Sequence, residues 1–530
     1  MNAHIEDMEK ESKKSFILRA GAFEQEGSSI DEYAVIIEGL RAHYDNYELY
    51  FMLGLYYRYR NANLSYLCFE NALHYCDEEE DENVIKNAME GLADRTKVRN
   101  TSIVIVSYND FELMRECIRA IRRYQLEEIT EIIVVDNASS DEDLLDYLRQ
   151  QADADEHFTL IENEKNVGFP AGCNIGLAAA SPENDVFFLN NDAVLMPNSL
   201  FWLKMGLYSD KRNGVAGAVS NSASAQEVSE KSIEPYIAKA PMTSTRMLGA
   251  EDKENDDPRW WRSISLDSAL EISKSYAKDH NVPMWNPVEV RCRLTGFALL
   301  IKREVIGELL ICSEDKKEKR MLFDERFTPG YFEDDDLGMR MGFLGYRQVL
   351  CHNSFIFHYG GSGFSSNAEE IEDRRSIFSQ KWGFDIWNYT LPEEDKINAL
   401  LVAEKERKIK KLEDPEAQKL LKNDSAELKI YNRDFRILDL SAGLGATLSF
   451  IKYMAPDCYT AGITPADAFA ALSCFMADDI ISGNPELVTF PWPMNSFDYI
   501  LAGDVITQAS DPEKLIRKLE SYLREDGRII

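Results

Sequence analysis

The sequence predicts an α/β chain in three parts: an all-α region, a mostly parallel sheet with helices on its faces, and a second, partial α/β segment. Three observations carry this. Aromatic and aliphatic residues recur at three- and four-residue spacing from about residue 15 to 97, as in YELYFMLGLYYRYR and NLSYLCFENALHYC, which is the period of amphipathic helices. After Arg99 the period changes to short β-branched runs, TSIVIVSY and EIIVVDN, on either side of a helical stretch, LMRECIRAIRRY. Beyond a charged stretch, FRILDLSAGLGATLSFI reads strand, glycine turn, helix.

A chain of 530 residues, 45% of them hydrophobic, can bury several cores, and the usual domain size predicts about three or four domains. The borders fall at 1–98 for the helical region, 99–392 for the first α/β domain, 393–430 for a charged linker and 431–530 for the last α/β domain. In the helical region Tyr50, Leu53, Gly54 and Tyr57 stand at the spacing of the first helix of a tetratricopeptide repeat. Phe69 and Ala72 stand one residue short of its second-helix positions, so the region reads either as a protein-binding repeat or as a plain helical bundle.

The net charge of −33 opposes approach to a polyphosphate backbone or an anionic bilayer, which argues against nucleic acid as a partner. A small phosphorylated ligand, held by a cation or by backbone amides, is compatible with that charge. The nine cysteines are scattered, without C-x-x-C spacing, and read as reduced thiols. MNAHIEDMEKESKKS has no apolar core of a signal sequence, and no stretch approaches the roughly 18 apolar residues of a membrane span, so the expected location is cytoplasmic.

In the first α/β domain a third strand, DVFFLNND, follows the loop ENEKNVGFPAGCNIG. Polar residues gather at the carboxyl ends of the three strands, in SYND, DNASSD and NND, where open α/β sheets bind their ligands. Residues 225–290 form a polar excursion carrying DKENDDPRWWR, either over the surface or into an acceptor cleft; Trp260, Trp261 and Trp285 there either stack on a sugar or belong to the core. Residues 393–429, charged in both signs and broken by Pro415, read as a solvated connecting helix pair.

SIVIVSYND, EIIVVDNASSD, NVGFPAGCNIG, FFLNNDAVL, LTGFALLIKREV and YFEDDDLGMRM, in that order over about residues 101 to 390, resemble the successive motifs of family 2 glycosyltransferases of the rhamnosyltransferase-like kind. The resemblance implies a GT-A fold, a nucleotide-diphospho-sugar donor and inversion at the anomeric carbon. It implies donor contacts from Ser107, Tyr108, Asn109, Asp136, Asn137, Asn166, Gly168, Gly172, Asn174 and Asn191. The physical reading runs beside it. Asp136 ends a buried strand and can accept from a base N–H or a ribose hydroxyl, or else cap a helix. The 166–174 loop, punctuated by glycine and running into a helix, brings backbone amides toward a phosphate or is simply a turn.

Asn190, Asn191 and Asp192 stand at the position of the family's Asp-x-Asp, with the first carboxylate replaced by an amide. Asp192 is then the principal candidate to hold a divalent cation, the alternative being a turn stabilised by its polar side chains. His358, in FIFHYGGSG, stands where relatives carry a metal- or diphosphate-gripping histidine, and a mixed oxygen and imidazole site suits Mn2+ or Mg2+, with Mn2+ slightly favoured. Four consecutive acids, Glu333, Asp334, Asp335 and Asp336, match the Glu-Asp-x-Asp pattern, whose second place implies Asp334 as the base of a single displacement. Acids in the first turn of a helix are also favoured by its dipole, so both roles apply. Glu333, Asp336 and Gly296 are expected to support the site or touch the acceptor, and Asp335 to be a solvated substitute at the variable place.

ILDLSAGLGATL and the α/β alternation after it resemble the first half and more of a class I S-adenosylmethionine-dependent methyltransferase, a Rossmann-like fold, with Asp439, Gly443 and Gly445 at the cofactor loop. Ser441 replaces the loop's first glycine and Thr464 the acid that holds the ribose, and the chain stops on a strand, so a degenerate or incomplete domain is expected.

The predicted function is an inverting, metal-dependent hexosyl- or deoxyhexosyl-transferase acting on a glycan, lipid-linked or protein acceptor. The helical region is a candidate surface for a protein partner. The alternatives are an enzyme that also methylates and a scaffold without catalysis.

Overall fold

A computed structural model describes residues 12–126, 129–240, 259–312, 320–361, 368–411, 415 and 435–530. The chain forms two compact units: Met1–Pro287 with Leu294–Leu337 and Val349–Arg374, and Val288–Arg293 with Gly338–Gln348 and Arg375–Ile530.

The first unit opens with α1 (Lys13–Glu26), α2 (Ser29–Ala42), α3 (Tyr47–Tyr57), α4 (Ala62–Tyr75) and α5 (Glu79–Glu90). Asn46 and Asn61 start α3 and α4, their side-chain oxygens accepting from Leu49 N and from Asn63 N and Leu64 N. The residues that suggested a repeat do pack: Tyr50, Leu53, Phe69 and Ala72 are buried, and Gly54 lies so close to Phe69 that an added Cβ would sit 2.4 Å from its ring. A second hairpin, α1 with α2, repeats the device with Phe16 and Ala20 buried on α1 and Gly39 against Phe16 and Leu49.

The sheet that follows is built from β1 (Thr101–Ser107), β2 (Thr130–Asp136), β3 (Phe158–Glu162), β4 (Asp185–Asn190), β6 (Asn213–Val219), β8 (Ala298–Ile301) and β11 (Arg347–Phe355), in the order β3-β2-β1-β4-β8-β6-β11. β1 runs parallel to β2 and β4, whereas β8 runs antiparallel to β4 and β6. β1 is buried along its whole length and β2 along nearly all of it, which is why both read as continuous β-branched runs instead of alternating ones. Helices α6 (Phe111–Tyr124), α7 (Glu142–Ala154), α8 (Phe169–Ala179) and α9 (Ser199–Ser209) complete the crossovers. A small antiparallel ladder joins β5 (Ala193–Val194) to β12 (Phe357–His358).

The polar excursion is more ordered than its composition suggests. It contains α10 (Glu230–Lys239) and α11 (Leu266–His280), and the apolar face of α11, with Leu266, Ala269, Ile272, Tyr276 and Ala277, is buried. Residues 241–258 of DKENDDPRWWR and its approach lie outside the described residues. The remaining elements of this stretch are α12 (Arg303–Leu309), the short pair β9 (Ile311–Cys312) and β10 (Arg320–Met321), and α13 (Glu333–Phe343).

The second unit contains β7 (Val288–Arg291), α15 (Glu394–Lys411) and a parallel sheet of β13 (Arg436–Asp439), β14 (Tyr459–Thr464), β15 (Asp479–Ser482), β16 (Phe497–Leu501) and β17 (Leu523–Ile529); α14 (Ala368–Trp382) leads into it. The order β15-β14-β13-β16-β17 reverses direction at β13, as in half of a doubly wound fold. Its helices are α16 (Ala446–Met454), α17 (Asp467–Ser473) and α18 (Pro512–Glu520). Over Glu394–Lys411 the expected solvated linker is instead partly buried, and residues 412–414 and 416–434 of that stretch lie outside the described residues. Leu400 and Ala403 of α15 belong to the core with Phe435, Ile437 and Tyr499, and buried Glu404 accepts a hydrogen bond from Tyr499 Oη at 2.6 Å. Charge on the other face of α15 hid this stripe, and Pro415 stands after the last residue of α15, Lys411.

All nine cysteines are free thiols, and among the described residues no helix is long and apolar enough to cross a membrane. Gly54→Ala gives a test of the helical packing. Helix propensity alone favours alanine by about 1 kcal/mol, but overpacking against the Phe69 ring costs about 1–3 kcal/mol, so urea denaturation should show a net loss of stability.

Candidate functional site

β1 lies between β2 and β4, with Ser107 opposite Asp136 and Val106 opposite Asn190, so three strands end together at the point where the strand order reverses. Such a point opens a crevice. At its floor the Ser107 hydroxyl and the Asn191 side-chain nitrogen are buried and have no hydrogen-bond partner among the described residues. Buried polar atoms are ordinarily paired, so these two are available to a ligand.

The turn after β4 carries Asn191 and Asp192 directly into β5, and the pairing of Ala193 with His358 sets the acid beside the imidazole. His358 Nε2 lies 3.2 Å from Asp192 Oδ1 and 3.4 Å from Asn190 Nδ2, while Gly360 N donates to Asp192 Oδ2 at 3.0 Å. His358 Nδ1 donates to Ser222 O at 2.5 Å, which fixes the ring and turns Nε2 toward the acid. Burial, the largest single influence, pulls the His358 pKa down, but the Asp192 charge and hydrogen bond together with the Ser222 carbonyl outweigh it and hold the value above the ordinary one.

These two residues fit a divalent cation in part. Among the described residues no group of three or more His, Cys, Asp or Glu side chains is assembled for a metal. One carboxylate and one imidazole suffice where diphosphate oxygens and water complete the shell, the usual arrangement for Mg2+ at phosphates.

The four acids open α13, and their exposure separates them. Glu333, Asp335 and Asp336 are 5%, 1% and 0% exposed, whereas Asp334 is half-buried. Asp334 Oδ2 accepts from Gly296 N and Oδ1 from Asp335 N, both at 2.8 Å. The expectation of a solvated Asp335 is therefore wrong, while Glu333 and Asp336 are buried in the first turn of α13. Gly296 also ties Asp334 to the Asp192–His358 pair. The next residue, Phe297, stacks on the His358 ring with centroids 4.9 Å apart, and its carbonyl accepts from Asn190 N at 2.9 Å. Phe297 was not singled out from the sequence, although an aromatic after glycine at a strand start was a usable signal.

Other expected donor residues turn out to hold the chain together. Asn174 accepts from Leu322 N and Phe323 N and donates to Phe323 O and Glu325 Oε1, so its amide is fully engaged, and the donor role is withdrawn. The phosphate cradle is withdrawn too: Gly168 N donates to Asn166 Oδ1, Phe169 N donates to Pro329 O, and Gly172 presses on Val106 of β1. Asn137 bridges Gly168 O and Asn163. Asp136 is buried, accepting at Oδ2 from Ser139 N and at Oδ1 from Ser139 Oγ, but a carboxylate has lone pairs to spare. Asn109, at φ 58°, accepts from Ser140 N and donates its own N–H to Ser139 Oγ, and Tyr108 is half-buried beside it.

Cations arrive from the excursion. Arg262 donates to Gly360 O and its guanidinium lies 4.5 Å from the Tyr359 ring centre; Arg259 acts on His358 electrostatically; and Trp261 is buried, donating to Tyr359 O at 3.0 Å. Trp261 is thus core, whereas Trp285 is 63% exposed and meets Tyr33 edge-on.

Residues 102–254 match the family model described as Glycosyl transferase family 2. The sheet of the first unit is accordingly GT-A-like. No curated protein matches the chain. Similar solved structures include a mannosyltransferase, PcManGT, from Pyrobaculum calidifontis in complex with GDP-Man and Mn2+, at 16% identity and a TM-score of 0.31, covering 50% of this chain and 58% of that one. GalNAc-T7 with UDP, GalNAc and Mn2+ follows at 12% identity and 0.35, covering 53% and 48%; S. aureus TarS 1-349 stands at 12% and 0.30, covering 54% and 74%. The chain thus spans about half of the first two, and scores of this size carry no argument about donor or acceptor.

In the second unit the residues expected at a cofactor loop are covered by the chain itself. Lys396 Nζ donates to Asp439 Oδ1 at 2.8 Å, Ser441 Oγ at 2.7 Å and Glu393 Oε1 at 2.6 Å. The Tyr389 ring covers Gly443, Gly445 packs on Met476, and Thr464 is buried. The residues present do not fit S-adenosylmethionine. Calorimetric titration of that cofactor into the full chain should give no binding; a micromolar Kd would overturn the reading. Burial pulls the Lys396 pKa down, but Asp439 and Glu393 reverse this and hold it above the ordinary value. Its stabilising effect is then fully present at neutral pH and lost as pH rises through the folded-state value. Lys396→Met should cost about 3–5 kcal/mol by stranding a buried carboxylate, and adding Asp439→Asn should recover most of the loss in a denaturation series.

Proposed function

We propose that the first unit is a glycosyltransferase that moves a sugar from a nucleotide-diphosphate donor to a hydroxyl of a glycan, lipid-linked or protein acceptor, by one displacement with inversion. The observation that carries the reading is the link from Asp334 through Gly296 and Phe297 to His358 and Asp192, which brings a half-exposed carboxylate and a metal-competent pair to one end of the sheet. The family match over 102–254 supports it from the sequence side.

The chain's own groups have distinct tasks. Two backbone N–H groups fix the Asp334 carboxylate, leaving lone pairs for the acceptor hydroxyl. Asp334 takes that proton as the acceptor oxygen bonds to the anomeric carbon and the glycosyl–phosphate C–O bond breaks, its electron pair leaving with the nucleoside diphosphate. Asp192 and His358 would hold Mn2+ or Mg2+, which when bound would supply Lewis-acid stabilisation of the departing diphosphate. Ser107 and Asn191 offer their unpartnered polar atoms to the donor.

A panel of UDP-, dTDP- and GDP-sugars with Mn2+ tests the activity. Asp334→Asn should lower transfer by about 10²–10⁴-fold and leave donor affinity, measured by calorimetry, unchanged; wild-type turnover in that variant removes the base from the scheme. His358→Ala should raise the half-saturating Mn2+ concentration at least about 10-fold.

A further inference from the structure

Among the contacts between the helical region and the sheet domain, one buried side chain concentrates four hydrogen bonds. Asn198, at φ 60° and 4% exposed, follows Asp192 through β5 and the residues Leu195, Met196 and Pro197, and it stands just before α9. An asparagine there ordinarily caps the helix, yet this side chain makes no capping bond. It is turned to the helices instead. Its amide donates to Tyr44 O and to Tyr50 Oη, both at 3.0 Å, and its carbonyl accepts from Tyr75 Oη at 2.9 Å and Asn71 Nδ2 at 3.3 Å. Both donors and both lone pairs of the Asn198 side chain are used on the helical region.

The opposite side of the same turn is tied to the strand that leads to His358. Asn281 Nδ2 donates to Pro197 O at 2.8 Å and to Phe355 O at 3.1 Å, while its Oδ1 accepts from Phe355 N at 2.7 Å. Ser354 Oγ donates to Ser199 O at 2.8 Å. The segment between Asp192 and α9 is thus held from two sides.

We propose that Asn198 is a positioning residue through which the N-terminal helices set the β4–β5 turn, and so the geometry of Asp192 against His358. This rests on the metal-dependent reading above. A docking contact alone would spread over the surface; here the helices use the whole hydrogen-bonding capacity of a residue on the segment that carries the metal-binding acid. A buried ion pair, Lys204 Nζ to Glu70 Oε1 at 2.6 Å, joins the same two regions without touching the turn and serves as the control.

The test uses the full chain with Asn198→Ala, the double variant Tyr50→Phe and Tyr75→Phe, which keeps the rings, and Glu70→Gln. Two quantities are read: Mn2+ affinity in the presence of UDP, by electron paramagnetic resonance, and amide hydrogen exchange across residues 189–198. The Asn198 and tyrosine variants should weaken Mn2+ binding about 10-fold and speed exchange in that segment, whereas Glu70→Gln should leave both at the wild-type value. A lowered melting temperature with unchanged Mn2+ affinity and unchanged exchange would make Asn198 a structural contact only, and an equal loss in Glu70→Gln would also overturn the proposal. Should the wild-type chain bind no Mn2+, the metal-dependent function fails, while the exchange arm still decides whether Asn198 orders the turn.

Discussion

Two residues of antiparallel pairing, Ala193 with His358 and Val194 with Phe357, are what the candidate site depends on. A ladder that short has no stability of its own. It persists because other groups extend it: Asn221 Nδ2 donates to His358 O and Asn221 Oδ1 accepts from His358 N, both at 2.9 Å, so the side chain pairs with the strand as a neighbouring strand would. Tyr359 N then donates to Asp192 O at 3.0 Å, and Ile356 N to Val219 O at 3.0 Å. The acid and the imidazole are far apart in the chain, and this framework turns that separation into a contact.

The cluster of four acids follows a similar economy of geometry. Like charges in one helical turn repel, but the positive end of the helix dipole offsets part of this, and burial with partners removes three of the four from solvent. Ahead of them Tyr331 and Phe332 both adopt positive φ, 74° and 70°, where bulky side chains are strained. Observed strain of this kind at the mouth of a helix is held by the surrounding structure. Asp336 N donates to Phe332 O at 2.9 Å, so the strained pair leads directly into the first hydrogen bond of the acidic turn. Asp334 is then the member of the quartet left facing outward, with Gly296 small enough to lie against its side chain.

How much of this was legible depended on whether the deciding interaction was local. The runs TSIVIVS and TEIIVVD announce buried parallel strands because burial on both faces removes any need for alternation, and the strand ends mark the crevice. The acids 333–336 and the turn Asn190–Asp192 were legible for the same reason. Asn174 was not: a side-chain amide has the same donors and acceptors whether it meets a sugar or the backbone of Leu322 and Phe323, and nothing near it in sequence tells which. Asn198 stood where a helix cap belongs, and its true partners lie on α3, α4 and the turn before α3. The helix α11 was hidden because its polar face dominates the composition, and the core stripe of α15 was hidden by its lysines and glutamates.

The second unit shows how a strand-end acid and a glycine loop can be present without serving a cofactor. Asp439 is fully buried, and a carboxylate in that position needs a cation. Lys396 supplies one from α15, and its raised pKa indicates that Asp439 and Glu393 more than compensate for taking the ammonium out of water. The left-handed backbone of Gly443 leaves a bare face, and the Tyr389 ring covers it. Tyr389 in turn packs edge-on against Phe469, and Phe384 does the same, so the segment leading into α15 is seated by aromatic contact as well as by charge. A ligand entering there would have to displace both the ion pair and the rings. The features that looked like a cofactor site in the sequence are therefore better understood as the anchor points of α15 and the segment before it.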